Sequence, residues 1–378
     1  MLRPDNGENM RANSSSSNGR KWRGAIKDAF LIASLWAAIA VFQATYEFAI
    51  LASYNASPGM RTYLILLQSS VPAVFIAGLL AGFLVLPLVN SWLRAHAYGS
   101  ALLMSLLSIL ALFFLTSLLG TFIYNSLRLK VSIFDPAILP SVIEYLTGME
   151  NLKNFLFWLF VATITIITLQ INDKYGPGVL WAFIMGRYFH PRTEGRIFLF
   201  LDIRSSTAIA EKLEEVQYFE FVKDFFQDVT PAILATKGEI YQYVGDEIVV
   251  SWPMDRGLRN NNCIHAFFQA LRSIQEKAPH YQQKYGVAPS FKVGLHCGTV
   301  VSGEIGVIKR DIAYSGDVLN TAARIQSKCN ELGVDILLSE TLLQQLHLAG
   351  SGFREQAIGE VELRGKAEAV RLYTVEAE

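Results

Sequence analysis

Charge is what this sequence has little of. Only 17% of its 378 residues are Asp, Glu, Lys or Arg, where a soluble domain usually carries about 25%. The shortage is local. Between Ala29 and Ile171 stand nine charged residues: Glu47, Arg61, Arg94, Arg128, Lys130, Asp135, Glu144, Glu150 and Lys153. That excludes a water-soluble globule over this stretch, whereas from Arg192 onward the charge density is ordinary. Cysteine is also scarce. Cys263, Cys297 and Cys329 lack paired spacing, which excludes a disulfide framework and a zinc signature and fits a reducing compartment. No basic excess exists, since Lys+Arg 33 balances Asp+Glu 33. A general nucleic-acid binder is thereby excluded. Nor does the N-terminus read as a cleavable signal peptide, because the apolar run is too long and no small-residue cleavage site closes it.

What is there divides into four parts. Residues 1–28 are polar, Ser-rich and basic, and read as a disordered cytosolic tail. Residues 29–171 read as a membrane domain of four helices, Phe30–Tyr54, Tyr63–Val89, Ala101–Tyr124 and Phe155–Ile171, each near the length needed to cross a bilayer. The segment from Asn125 to Lys153 reads as a long amphipathic loop. Residues 172–195, with the breaker cluster Gly176-Pro177-Gly178, read as a connector. Residues 196–378 read as an α+β domain. Arg3, Arg11, Arg20, Lys21, Arg23 and Lys27 precede the first span, and Lys174, Arg187, Arg192 and Arg196 follow the last. The positive-inside bias places both ends in the cytosol and the chain in the inner, plasma membrane. Glu47 is the charge lying within an apolar run. Such a group is a functional candidate, with snorkelling to the interface as the bland alternative. The spans lack the paired charges and broken inverted repeats of a transporter. Anchoring, dimerising or sensing an upstream signal remain.

In the α+β part, Ile197–Ile203 is an apolar strand ending at Asp202. Ser206 can cap a following helix, which Glu220–Lys237 continues. Glu239–Tyr243 and Ile248–Trp252 form a hairpin turning at Gly245-Asp246. Cys263–Tyr285 reads as a helix. Phe291–His296 and Thr299–Glu304 read as a second hairpin about Cys297-Gly298. Asp317–Glu331 reads as a helix, Asp335–Ser339 as a strand, and Phe353–Val375 as short strands.

Two carboxylates stand out. Asp202 at a strand end and Asp246 at a hairpin tip are costly to bury unless paired or metal-bound. A sheet can bring them together, where they suit a hard divalent cation that keeps positions open for phosphate oxygens. Taken singly, each also reads as an ordinary turn residue. Asn320 and Arg324, four apart, share one helix face, and a guanidinium matches phosphate geometry. Arg364 and Lys366 add cations near the C-terminus.

The ordered set resembles the class III nucleotidyl cyclases. Phe198–Thr207 is similar to their first metal-binding strand and Tyr243–Glu247 to their metal-binding hairpin. Val293–Gly298 is similar to their central strand, Tyr314–Arg324 to their GxxxNxxxR helix, and Leu363–Lys366 to their C-terminal phosphate contact. The resemblance implies a βαββαβ core with extra strands and a head-to-tail homodimer with sites in the interface. It implies two Mg²⁺ or Mn²⁺ ions held by Asp202, Asp246 and the Ile203 carbonyl. Asn320 would orient the ribose and Arg324 would stabilise charge at the α-phosphate, both from the other subunit. Arg364 and Lys366 would hold the terminal phosphates. The implied reaction converts ATP to 3′,5′-cyclic AMP and pyrophosphate. The chain departs from the family at the base-reading positions, Gln242 and Ala313, where adenine-specific members usually carry Lys with Asp or Thr and guanine-specific ones Glu and Cys. Gln donates and accepts, so GTP stays open as an alternative substrate. A catalytically inactive dimerisation module and a diguanylate cyclase are the other readings. The second lacks its further glycine, since Val244 stands there.

Overall fold

The computed structural model describes residues 6–56, 59–85, 98–175, 185–186, 190–308, 311–365 and 368–378. The end of the second expected span, the turn near Arg94, most of the connector and Lys366 lie outside the described residues. The chain divides into two compact units, Met1–Leu169 and Gln170–Glu378.

In the first unit, α1 (Asn6–Ser53), α2 (Met60–Leu80), α3 (Tyr98–Leu129) and α5 (Met149–Tyr175) are the long helices, with α4 (Leu139–Thr147) before α5. Four stretches are long and apolar enough to cross a membrane: Ile26–Ser53, Met60–Leu84, Leu103–Leu129 and Met149–Ile171. Phe30, Leu31, Phe42, Leu103, Phe114 and Phe160 point outward and exposed, more large apolar side chains than an ordinary water-facing surface carries. Inside, small residues let helices close. A Cβ on Gly78 would lie 2.5 Å from the Ala33 Cα, and one on Gly82 2.4 Å from the Ala29 Cα. Such small-residue seams hold helices together where lipid leaves no hydrophobic drive. Two expectations change. Helix α1 begins at Asn6, inside the stretch read as disordered, because extending an existing helix costs far less than nucleating one. The segment after α3 is not a plain loop: a 3₁₀ turn, Pro136–Ile138, capped by Asp135, whose carboxylate accepts from the Ala137 N–H at 2.9 Å, leads into α4.

The second unit is built on an eight-stranded sheet. Its elements are β1 (Arg192–Ile203), α6 (Ser206–Lys212), α7 (Glu215–Ala235), β2 (Glu239–Val244), β3 (Glu247–Pro253), α8 (Asn262–Tyr285), β4 (Phe291–Ile305), β5 (Asp311–Ser315), α9 (Asp317–Ser327), β6 (Ile336–Ser339), β7 (Phe353–Val361) and β8 (Val370–Ala377). The strand order is β2-β3-β1-β4-β6-β8-β7, with β5 paired to β4. The first six principal elements make the expected βαββαβ core. Strand β1 lies at its centre, antiparallel to both β3 and β4. It reads as one apolar run because both faces are covered. Ile197, Leu199, Leu201 and Ile203 pack with Phe221, Phe225 and Phe267 of α7 and α8. Phe198 and Phe200 pack with Val318 and Ala322 of α9 on the other face. The three thiols are buried and free. Burial pushes Cys263 and Cys329 up to about 12 and Cys297 to about 11, so they stay protonated and inert.

Two local readings are corrected. Ser206 is the first residue of α6 rather than its cap; Ser205 holds the cap position with φ 54° and no side-chain bond. The second hairpin does not exist as read, for β4 runs unbroken through Cys297-Gly298 and pairs antiparallel with β1 and, at its end, with β5. Gly298 serves close packing instead of a turn: a Cβ there would lie 2.8 Å from Val318 Cγ2. Gly294 is tighter, its Cβ falling 2.3 Å from the Gln326 nitrogen and 2.6 Å from the Ala322 carbonyl oxygen. The α9 backbone thus rests directly on β4. Gly294→Ala is expected to cost about 1–3 kcal/mol, the usual penalty of overpacking, in denaturant unfolding of the full chain. Gly195→Ala, where the nearest atom is the flexible Met254 side chain at 3.5 Å, should change stability by less than about 0.5 kcal/mol.

Candidate active site

The end of β1 carries the candidate carboxylate. Asp202 pairs across the sheet with Glu247 on β3 and Lys292 on β4. Directly opposed cross-strand side chains lie about 5 Å apart at Cβ, so three charged groups share one strip of sheet. Asp246 joins them from the turn between β2 and β3, where Gly245 takes φ 62°, a conformation glycine adopts freely. The Lys292 ammonium lies 3.3 Å from Asp202 Oδ2, and the Gln326 amide donates to the same oxygen at 2.9 Å.

The electrostatics follow from that crowding. Burial, and then the neighbouring Asp246 charge, hold the Asp202 carboxyl above the usual range against the pull of Gln326 and Lys292. Glu247 is pushed up to about 7 by burial and by the charges of Asp202 and Asp246. On α7, the Tyr218 phenol is raised by burial and by Asp246. Crowded carboxylates favour a nearby cation. Among the described residues no group of three or more His, Cys, Asp or Glu side chains converges as a metal centre. Asp202 and Asp246, with the carbonyl of the adjoining Ile203, are the groups that could hold a cation at this end of the sheet. That is an all-oxygen, incomplete shell, which fits Mg²⁺ or Mn²⁺ binding through few protein ligands. Arg204 pins the turn that follows: its guanidinium donates to Asp335 Oδ1 at 2.7 Å, to Asn330 Oδ1 at 2.6 Å and to the Val334 carbonyl.

Helix α9 carries the second candidate group. Its buried face is Val318, Thr321, Ala322, Ile325 and Gln326. At about 100° per residue, Asn320 and Arg324 stand roughly half a turn from that face. Asn320 is exposed and Arg324 half-buried. The helix therefore sends Gln326 down to Asp202 and turns Asn320 and Arg324 away from it. Arg324 instead lies beside the C-terminal loop, its Nη2 3.3 Å from where a Gly365 Cβ would be, so Arg364 enters the same neighbourhood. Sequence reasoning named Asp202, Asp246, Asn320, Arg324 and Arg364 but missed Lys292, Gln326 and Glu247. The available signal was a lysine in an otherwise apolar strand, since Lys292 is buried with 8% exposure.

Gln242 and Ala313 sit by a cluster of rings. Tyr241 and Tyr314 meet at 5.0 Å, and both touch Phe198. Arg196, 1% exposed, lies 4.5 Å over the Tyr314 ring and is held by Glu239 at 2.7 Å and Ser251 at 3.0 Å. Gln242 follows Tyr241 at a bulge in β2, and Ala313 precedes Tyr314 on β5. They occupy neighbouring segments brought together by the ring contact.

The adenylate and guanylate cyclase catalytic domain matches residues 190–377. Those residues belong to the class III nucleotidyl cyclase family. Among its curated relatives, Adenylate cyclase 2 of Rhizobium meliloti (strain 1021) is 33% identical over 229 residues, covering 61% of this chain and 63% of the relative. The adenylate cyclase of Anabaena cylindrica is 32% identical over 191 residues, 49% of this chain and 37% of the relative. The chain thus spans less than two thirds of either relative. The structure of a bacterial light-regulated adenylyl cyclase covers 58% of this chain and 64% of its own, with 21% identity and a TM-score of 0.49.

The crowding of the cyclase strip sets a pH dependence. A carboxyl whose folded pKa is raised binds more protons folded than unfolded. Its stabilising contribution is complete below about 4.5 and is lost as pH rises through about 7. In chelator, Glu247→Gln should be more stable than the wild type at pH 8, by up to about 2 kcal/mol, with the gap shrinking toward pH 5. Urea unfolding at both pH values measures it.

Proposed function

We propose that the chain is a membrane-bound adenylate cyclase converting ATP to 3′,5′-cyclic AMP and pyrophosphate in a head-to-tail homodimer. The observation that carries the reading is the division of the site. Asp202 and Asp246 lie on the sheet, while Asn320 and Arg324 of the same chain face away from them. A second copy packed head-to-tail is the arrangement that opposes one protomer's carboxylates to its partner's Asn and Arg.

In this reading Asp202, Asp246 and the Ile203 carbonyl hold Mg²⁺ or Mn²⁺, two ions per site. The bound metal supplies Lewis-acid activation of the ribose 3′-oxygen and neutralises charge at the α-phosphate. Lys292 and Gln326 keep Asp202 in place before metal and nucleotide arrive. Asn320 orients the ribose so that its 3′-oxygen lies in line with the α-phosphorus. Arg324 stabilises charge building on the α-phosphate oxygens, and Arg364, with Lys366, holds the β- and γ-phosphates and the leaving pyrophosphate. Gln242 offers its carbonyl to the adenine amino group and its amide to a ring nitrogen. Toward guanine the amide can donate to the keto oxygen, so selection for ATP is weaker than a Lys and Asp pair would impose. The names of both relatives support ATP as substrate. The four apolar helices support residence in the inner membrane, and the basic flanks support a cytosolic catalytic domain.

Asp202→Ala and Asp246→Ala should each remove cyclic AMP formation while leaving dimers intact by sedimentation. Near-normal turnover in either would overturn the metal assignment. Co-expressed Asp202→Ala and Arg324→Ala chains should regain activity, because each mixed dimer keeps one complete site; no recovery in verified mixed dimers counts against the shared site. For the base, ATP is expected to be preferred over GTP in separate assays. Gln242→Lys with Ala313→Asp should widen the ratio, and Gln242→Glu with Ala313→Cys should move it toward GTP. A ratio unmoved by both pairs removes these positions from the base pocket.

A further inference from the structure

The helical unit contains a partly open cavity of about 740 Å³ bordered by α1, α2, α3, α4 and α5, within the size range of small-molecule sites. Its two ends differ chemically. Ile32, Trp36, Ala77, Ala81, Leu112 and Leu169 line one end. At the other, Gln43 donates to Glu47 at 3.2 Å and to Asn154 at 2.9 Å, and Asn154 donates to the Tyr145 hydroxyl at 3.0 Å. Lys153 closes the network on Glu47 at 2.9 Å. Along α1 the polar and apolar ends, Glu47 and Trp36, are about 16 Å apart.

Polar side chains within apolar helices are expensive and mark ligand or ion routes. Helix association alone does not require a space of this size between them. Glu47, the charge singled out in the sequence, is not snorkelling alone but is the acceptor at the centre of this network. The charge balance narrows the ligand. Three carboxylates line the cavity (Glu47, Glu144, Glu150) against two cations (Arg128, Lys153), and Lys153 is already paired. An anionic head would meet excess negative charge. Gln43, Asn154 and Tyr145 offer neutral donors and acceptors. We propose that this cavity binds a neutral amphipathic small molecule, an apolar chain ending in a hydroxyl or carbonyl, with its head at Gln43, Asn154 and Tyr145 and its chain toward Trp36.

Trp36 and Trp158 line the cavity, and their rings lie 6.0 Å apart, so binding is readable by contact quenching. The full chain in lipid nanodiscs is titrated with 11-bromoundecan-1-ol, and the quenching of a Trp36→Phe/Trp158→Phe double variant is subtracted as bilayer background. The expected result is saturable quenching, reversed by undecan-1-ol. Loss of the head's hydrogen bond should make 1-bromoundecane at least about fivefold weaker, and 11-bromoundecanoate should be weaker likewise. Asn154→Leu should weaken the alcohol by a similar factor. Quenching that rises linearly with probe, or is not reversed by the alcohol, overturns the site. Bromoundecane binding as tightly as the alcohol overturns the role of the polar end without any variant. Tighter binding of the carboxylate overturns the neutral head.

Discussion

Helix α9 rests on the backbone of β4 with no side chain between them at Gly294, and much of the catalytic domain's arrangement depends on that contact. Close approach brings Gln326 within reach of Asp202 Oδ2. It also commits the face of Val318, Ala322 and Ile325 to the sheet, which leaves Asn320 and Arg324 on the opposite face. One packing decision thus steadies Asp202 and turns Asn320 and Arg324 away from it. A larger residue at 294 would lift the helix and disturb both at once.

The second constraint is electrostatic. A strand end that gathers Asp202, Asp246 and Glu247 works against folding, and the raised carboxyl groups record that cost. Lys292 and Gln326 offset part of it. The acidic strip is thus only half compensated by protein groups. The strain is confined to the sheet's end, while the ring cluster of Phe198, Tyr241 and Tyr314 keeps the same face packed further along β1.

The helical unit solves a different problem. Its outside is apolar over much of its surface, Gly and Ala let its helices close together, and its charged and amide side chains Gln43, Glu47, Lys153 and Asn154 cluster at one end of a partly open cavity. Inside a bilayer, each of those groups needs a partner, and Gln43, Glu47, Tyr145, Lys153 and Asn154 provide them for one another. The same groups that satisfy the helices give the cavity its polar end.

By itself the sequence determined the division into an apolar helical half and an α+β half, because charge density and run length report directly on the solvent each segment meets. It also marked Asp202, Asp246, Asn320 and Arg324 as a candidate set, since their spacing along strand, turn and helix is local. It misread Cys297-Gly298 as a turn, because a glycine that ends a strand and one that admits a helix look alike until the helix is in place. Lys292, Gln326 and Glu247 were silent for a related reason. Their partner Asp202 is remote in the chain from each, and only the register of β1 against β3 and β4, together with the seating of α9, makes them neighbours. Tertiary structure likewise decided that Glu47 is paired, because Lys153 reaches it from a helix 106 residues away. Separation along the chain hides such contacts, and packing alone creates them.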